Sequence, residues 1–345
     1  MASLHSLTEE AKTIIKWGTI LLFVFFIFLI IFKAVGGDIK EYFFPTAPTV
    51  EFGKLPKISF PQNTTNKKFT YSLDTVSGKL PDFPYLINIY KTIPSVSSLL
   101  SLKNAQERIS KIGFISQGIA LSNTLYKWEN NKGENLVLDI VSNNFDFSSN
   151  FLYDQTVLQA KNLPSNDKAI TKATSFLDSV SSFPKDIDIS KTKTTFLSID
   201  NSKLIAASSF STAKIIRVDF FQKDINSLPI IYPNPMQSII SVFVGSGINE
   251  ENVVAVNFFH QDVSETYATY PIKTADDAFL ELKDGKAYIA SYFGNGNEIL
   301  INNIFLGYYS NNELQNYLMP IIVFTGDNGF TAYLSAVGDV WISNQ

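Results

Sequence analysis

The stretch Trp17–Phe32, WGTILLFVFFIFLIIF, carries no charge and is bracketed by Lys16 and Lys33. Extended from Ile14 to Val35, it is long enough to cross a bilayer as a helix. Roughly 20 residues at about 1.5 Å rise each match a hydrocarbon core ~30 Å thick. Everything after it has ordinary soluble character, so the pattern predicts one anchor holding one large region on one side of a membrane. The plan is a cytoplasmic tail over 1–13, a transmembrane helix over 14–35 and a Pro-rich linker over 36–68. A first α+β lobe follows over 69–157 and a second over 158–345.

Lys12 and Lys16 precede the apolar run, while Lys33 and Lys40 follow it, so charge asymmetry is weak. The short tail decides the orientation instead. It predicts a single-pass protein of the cell membrane, with the N-terminus cytoplasmic and the C-terminal region extracytoplasmic. The rival is a signal peptide cut near Ala34–Gly37. Against it, the run exceeds a typical h-region and no A-x-A motif precedes a cut.

Lysine and arginine total 28 against 32 acidic residues in 345, a net charge of -4, with no long run of either sign. No basic stripe is available to neutralise phosphates, which argues against nucleic acid as a partner. Cysteine is absent, which excludes disulfides, thiolate catalysis and Cys-ligated metals. In the linker, Pro45, Pro48, Pro56 and Pro61 favour extended backbone and predict a semi-rigid spacer.

From Phe69 the chain alternates as a strand does, with Phe69, Tyr71 and Leu73 on one face; Tyr85–Tyr90 continues the pattern. Ala105, Ile109 and Ile112 fall at helical spacing, and Gly113 stands where a helix stops. Three strands are then predicted, over 125–129, 136–141 and 145–148. In the second lobe, Ala169, Ala173, Phe176, Leu177 and Val180 share one face of a helix over 167–180. Strands are predicted over 194–199, 204–210, 215–222, 239–244 and 253–260. Thr274-Ala-Asp-Asp277 is a capping box that opens a helix, and Gly285 fits its left-handed stop. Five more strands close the chain, over 287–293, 298–306, 320–325, 330–337 and 340–343. The fold class is therefore α+β, mostly antiparallel sheet with short covering helices.

The ends of the two lobes look alike. Leu125–Asn150 and Met319–Gln345 each read as strand, turn, strand, turn and short aromatic strand, after an Ala-containing helix. Duplication and the ordinary similarity of hairpins both account for this. The second copy, TADDAFLELKDGKAYI, then INNIFLGYY, then YLMPIIVFTGDNGFTAYLSAV, resembles PepSY-like domains. It is most similar to the carboxy-terminal part of YycH/YycI-type membrane-anchored regulators. The residues that carry this are Ala275, Ala278, Leu282, Gly285, Leu306–Tyr309 and Pro320–Val337. The resemblance covers the last third well, the anchor and linker plan loosely, and not the middle from about Asp186 to Ser264. It implies a bacterial envelope protein that regulates a partner, such as a sensor kinase, through protein contacts. It brings no catalytic residues.

The chemical inventory agrees with that implication. His5 lies in the tail and His260 ends an apolar strand; neither has HExxH spacing. Ser165-Asn-Asp-Lys168 and Ser182-Phe-Pro-Lys185 fit S-x-x-K, but K-T-G and S-D-N are absent, and Ser165 suits a helix cap. Asp327-Asn-Gly329 is a hairpin turn rather than a calcium loop. No catalytic, cofactor-binding or metal site is predicted. Phe258-Phe259 and Tyr308-Tyr309 each place neighbours on opposite faces of a strand, so one of each pair is a candidate partner-contact residue. The expected function is non-enzymatic binding of a protein or peptide partner. The alternatives are a structural or assembly component of an envelope or secretion complex and, more remotely, an envelope-acting hydrolase.

Overall fold

The computed structural model describes residues 12, 15–27, 29–30, 47–63, 67–160, 163–246 and 251–343. The chain divides into two compact units, Met1–Thr49 and Val50–Gln345. In the first, the described residues 15–27 are helical and exposed.

The expected transmembrane helix is not seen: among the described residues, no helix is long and apolar enough to cross a membrane. Positions 14, 28 and 31–35 of the expected span lie outside the described residues. So do the tail, apart from Lys12, and the linker over 36–46.

The second unit is α+β and rich in sheet. In chain order its first strands are β1 (Thr70–Leu73), β2 (Leu86–Thr92), β3 (Ile119–Ala120), β4 (Leu125–Glu129), β5 (Asn135–Asp139) and β6 (Phe145–Ser148). Next come β7 (Ile187–Asp200), β8 (Lys203–Ala206), β9 (Ile215–Gln222), β10 (Ile230–Ile231), β11 (Ile240–Ser246) and β12 (Glu251–Phe258). The last are β13 (Val263–Pro271), β14 (Tyr288–Ser291), β15 (Glu298–Tyr309), β16 (Tyr317–Gly326) and β17 (Thr331–Ser335). The helices are α1 (Ser101–Ser110), α2 (Gln155–Leu158), α3 (Asn166–Val180) and α4 (Ala275–Lys283).

Nine strands form one sheet in the order β3-β4-β5-β6-β12-β11-β9-β7-β8, all antiparallel. Helices α1 and α3 cover one face of it. Ala105 and Ile109 from α1, and Ala169, Ala173 and Leu177 from α3, are buried against Trp128, Leu136, Phe147 and Val218. The Trp128 indole N–H donates to the Gln106 amide oxygen at 2.7 Å, so the buried ring keeps its polar edge satisfied.

Eight strands form the other sheet, along β1-β15-β16-β17-β14, with β10 beside β15, β2 beside β16 and β13 beside β2. Among the described residues, the parallel strand pairs of this sheet are β1 and β10, both with β15. This sheet is covered on both faces. Helix α4 packs Ala278 and Leu282 on Ile322, Phe324 and Leu334. On the other face lies the segment expected as a spacer. Leu55 and Ile58 are buried beside Tyr309, Ile321 and Val323, and Leu55 exchanges backbone hydrogen bonds with Trp341 and Ser343 at 2.8 Å each. Double coverage explains why β16, YLMPIIVFTG, is a continuous apolar run without alternation. Pro320, inside it, faces Tyr308, whose N–H turns away to the Pro229 carbonyl at 2.8 Å. No ladder bond between those two residues is therefore lost.

The nine-stranded sheet draws on strands from both sides of position 157, so hydrogen-bonded pairing runs straight across the lobe boundary read from the sequence. The final stretch expected as a strand over 340–343 holds instead a 3-10 turn, Asp339–Trp341.

Candidate functional site

The chain passes between the two sheets at β2–β3, β9–β10, β10–β11 and β12–β13. A small apolar cluster fills the seam: Tyr90, Ile230, Tyr232, Tyr308 and Leu318, with Phe221 and Ile239 packed against it. Beside that cluster opens a cleft of about 800 Å³, lined by residues that include Tyr90, Asp186, Lys223, His260, Glu265 and Tyr267.

At the centre of the cleft, His260 Nε2 lies 2.8 Å from Asp186 Oδ1. His260 follows β12, and Asp186 directly precedes β7. The Gln222 side-chain amide donates to the other Asp186 oxygen at 2.8 Å. The His260 backbone N–H donates to Asn144 Oδ1 at 2.8 Å, which fixes the imidazole's position from behind. Burial pushes the Asp186 carboxyl up. The hydrogen bond and charge of His260, with the Gln222 amide, outweigh that and hold it below the usual carboxylate value.

His260 Nδ1 faces a second carboxylate, Asp262, at 4.0 Å. Both ring nitrogens therefore look at carboxylates. Among the described residues no serine hydroxyl is bonded to His260, so the Ser-His-Asp arrangement is not assembled. Ser182 and Lys185 both line the cleft, yet no hydrogen bond joins them among the described residues. The Lys185 carbonyl accepts from Lys223 Nζ at 2.9 Å. Ser165 caps α3, accepting from the Lys168 N–H. Among the described residues, no group of three or more His, Asp or Glu side chains could hold a metal ion.

The aromatic wall is ordered by tyrosines. Tyr90 packs 5.6 Å from Tyr267 and 5.8 Å from Tyr308, ring centre to ring centre. Its hydroxyl accepts from the Asn226 amide at 2.5 Å and the Asn88 amide at 3.2 Å. Asn226 and Ser227, at φ 50° and 62°, form a two-residue turn closed by paired bonds between Ile225 and Leu228 at 3.0 Å.

Of the four candidate contact residues, three are core. Tyr308 and Tyr309 are both 0% exposed and Phe258 is 4% exposed. For the two tyrosines the reason is double coverage of β15: Tyr308 points into the seam cluster, and Tyr309 meets Phe60 at 4.8 Å beneath the 50–60 segment. Burial also pushes both phenols well above their ordinary value. Phe259 alone remains partly exposed. The Asp186–His260 pair joins residues 74 positions apart, and no local motif announces it.

No family model matches this chain, and no curated protein matches it. It resembles the crystal structure of an uncharacterized protein from Eubacterium rectale at 16% identity and a TM-score of 0.38. The match covers 83% of this chain and 93% of that chain. At that score the likeness carries nothing about function.

Proposed function

We propose that the chain is a binding protein, and that its partner is a protein or peptide seated in the cleft at the seam. The observation that carries this reading is an edge strand at the cleft wall. Among the described residues, β2 is the strand that β13 pairs with; the Thr269 carbonyl of β13 accepts from the Val50 N–H at 3.2 Å, and nearer its start Val263, Ser264, Glu265 and Tyr267 line the cleft. An extended segment adds readily to such an edge, with main-chain bonds for affinity and a neighbouring hollow for a side chain. Tyr267 is 51% exposed beside that edge and supplies an aromatic anchor. Such binding is the mode of action that the resemblance to PepSY-like regulators implies.

The test is affinity capture from crosslinked cells with the full chain and with Tyr267→Ala. A specific partner recovered by the first and lost with the second supports the proposal. Stoichiometric recovery of a large complex that ignores the substitution favours an assembly component instead.

A further inference from the structure

A second hollow, of about 720 Å³, lies on the face of the nine-stranded sheet away from α1 and α3. Its floor is set by register. Val137, Asp146 and Asn257 stand side by side across β5, β6 and β12. Phe259, two residues beyond Asn257, continues the same face and lines the hollow. The loop between β10 and β11 closes one side with Asn234 and Gln237.

Three features limit what fits. No Lys, Arg or His lines the hollow among the described residues, so nothing there is suited to a phosphate or carboxylate. Half of the polar side chains that line it are amides, which both donate and accept, as a hydroxyl-rich ligand requires. Of the two carboxylates, Asp139 is already used by the Thr124 hydroxyl at 2.6 Å and by the N–H groups of Val141 and Ser142 at 2.9 and 2.8 Å. Asp146 is the one left open, and its surroundings push its carboxyl above the ordinary value.

We propose that this hollow binds a neutral saccharide, with its ring on Phe259 and its hydroxyls on Asp146, Asn257 and Gln237. The proposal does not depend on the partner assigned to the seam cleft, because it uses a different set of side chains.

The test is titration of the full chain with neutral hexose and N-acetylhexosamine oligomers, followed by calorimetry and saturation-transfer NMR. Sulfated oligomers and an uncharged peptide are run beside them. A neutral oligomer should bind, its ring protons should receive saturation, and the sulfated form should bind more weakly. Asn257→Ala and Gln237→Ala alter exposed side chains and preserve the fold; each should weaken binding about tenfold, the scale of one good polar contact. Phe259→Ala should weaken it at least as much. Binding of no neutral oligomer overturns the proposal. So does binding indifferent to all three substitutions, or binding of the peptide alone.

Discussion

Gly307 shows how tightly the seam is built. A Cβ there would stand 2.8 Å from Ile231 and 3.0 Å from the Pro229 carbonyl, and the second of these is backbone that cannot swing aside. Gly307→Ala should therefore force β10 off β15 and cost about 1–3 kcal/mol in urea unfolding. Asp186 makes a prediction in pH. Its carboxyl is held below the ordinary value, so its contribution is complete above that value, about 4, and is lost as pH falls through the depressed one. Asp219 runs the other way: burial raises its carboxyl against the pull of Arg217, so its contribution is lost as pH rises. The two overlap in the native protein. Comparison with Asp186→Asn separates them: stability of the variant should fall less steeply on acidification below about pH 4. An unchanged slope would mean that the Asp186–His260 contact contributes nothing.

The helices are the elements most legible in the sequence, because their signals are local. Ala105 and Ile109 mark α1, and Gly113 ends that turn at φ 98°. Thr274 opens α4, accepting from the Asp277 N–H at 3.1 Å, while Asp277 answers by accepting from the Thr274 hydroxyl at 2.7 Å rather than from its backbone N–H. Thr274→Ala should cost about 1 kcal/mol, measured as a shift in the unfolding midpoint. Strands were legible where they alternate, as at Leu125–Glu129, which matches the expected range. They were not where a bulge breaks the period: β13 shifts register between Val263 and Tyr267, and its polar residues Ser264 and Glu265 hid the strand that borders the cleft. The burial of Tyr308 and Tyr309 has a related reason. Adjacent residues of a strand do face opposite sides, but Tyr308 and Tyr309 belong to a sheet covered on both. Tyr308→Ala should accordingly cost about 3–5 kcal/mol as a core deletion, whereas a surface contact would leave stability nearly unchanged.

Across the whole second unit, the interleaved path matters more than any element. Strands β1 and β2 join one sheet, β3 to β9 the other, β10 returns, β11 and β12 leave again, and β13 to β17 close the first. No cut of the sequence yields either sheet intact. This is why the cleft, made of residues between positions 90 and 267, could not be read locally. The two sheets should unfold together. Trp128 lies in the core of the nine-stranded sheet and Trp341 packs on Tyr270 of the other. With Trp17 replaced by Phe, variants retaining either tryptophan alone should show one common denaturant midpoint by fluorescence; separate midpoints would mean two independent bodies. The most direct test of the central claim, that the seam cleft is the partner site, is site-specific photo-crosslinking in cells. A reactive residue is placed at Tyr267 beside the cleft and, in a second variant, at Ile205 on the far edge strand β8. A discrete protein adduct from position 267 and none from 205 is the expected result; no adduct from 267, or the same adducts from both positions, would contradict it.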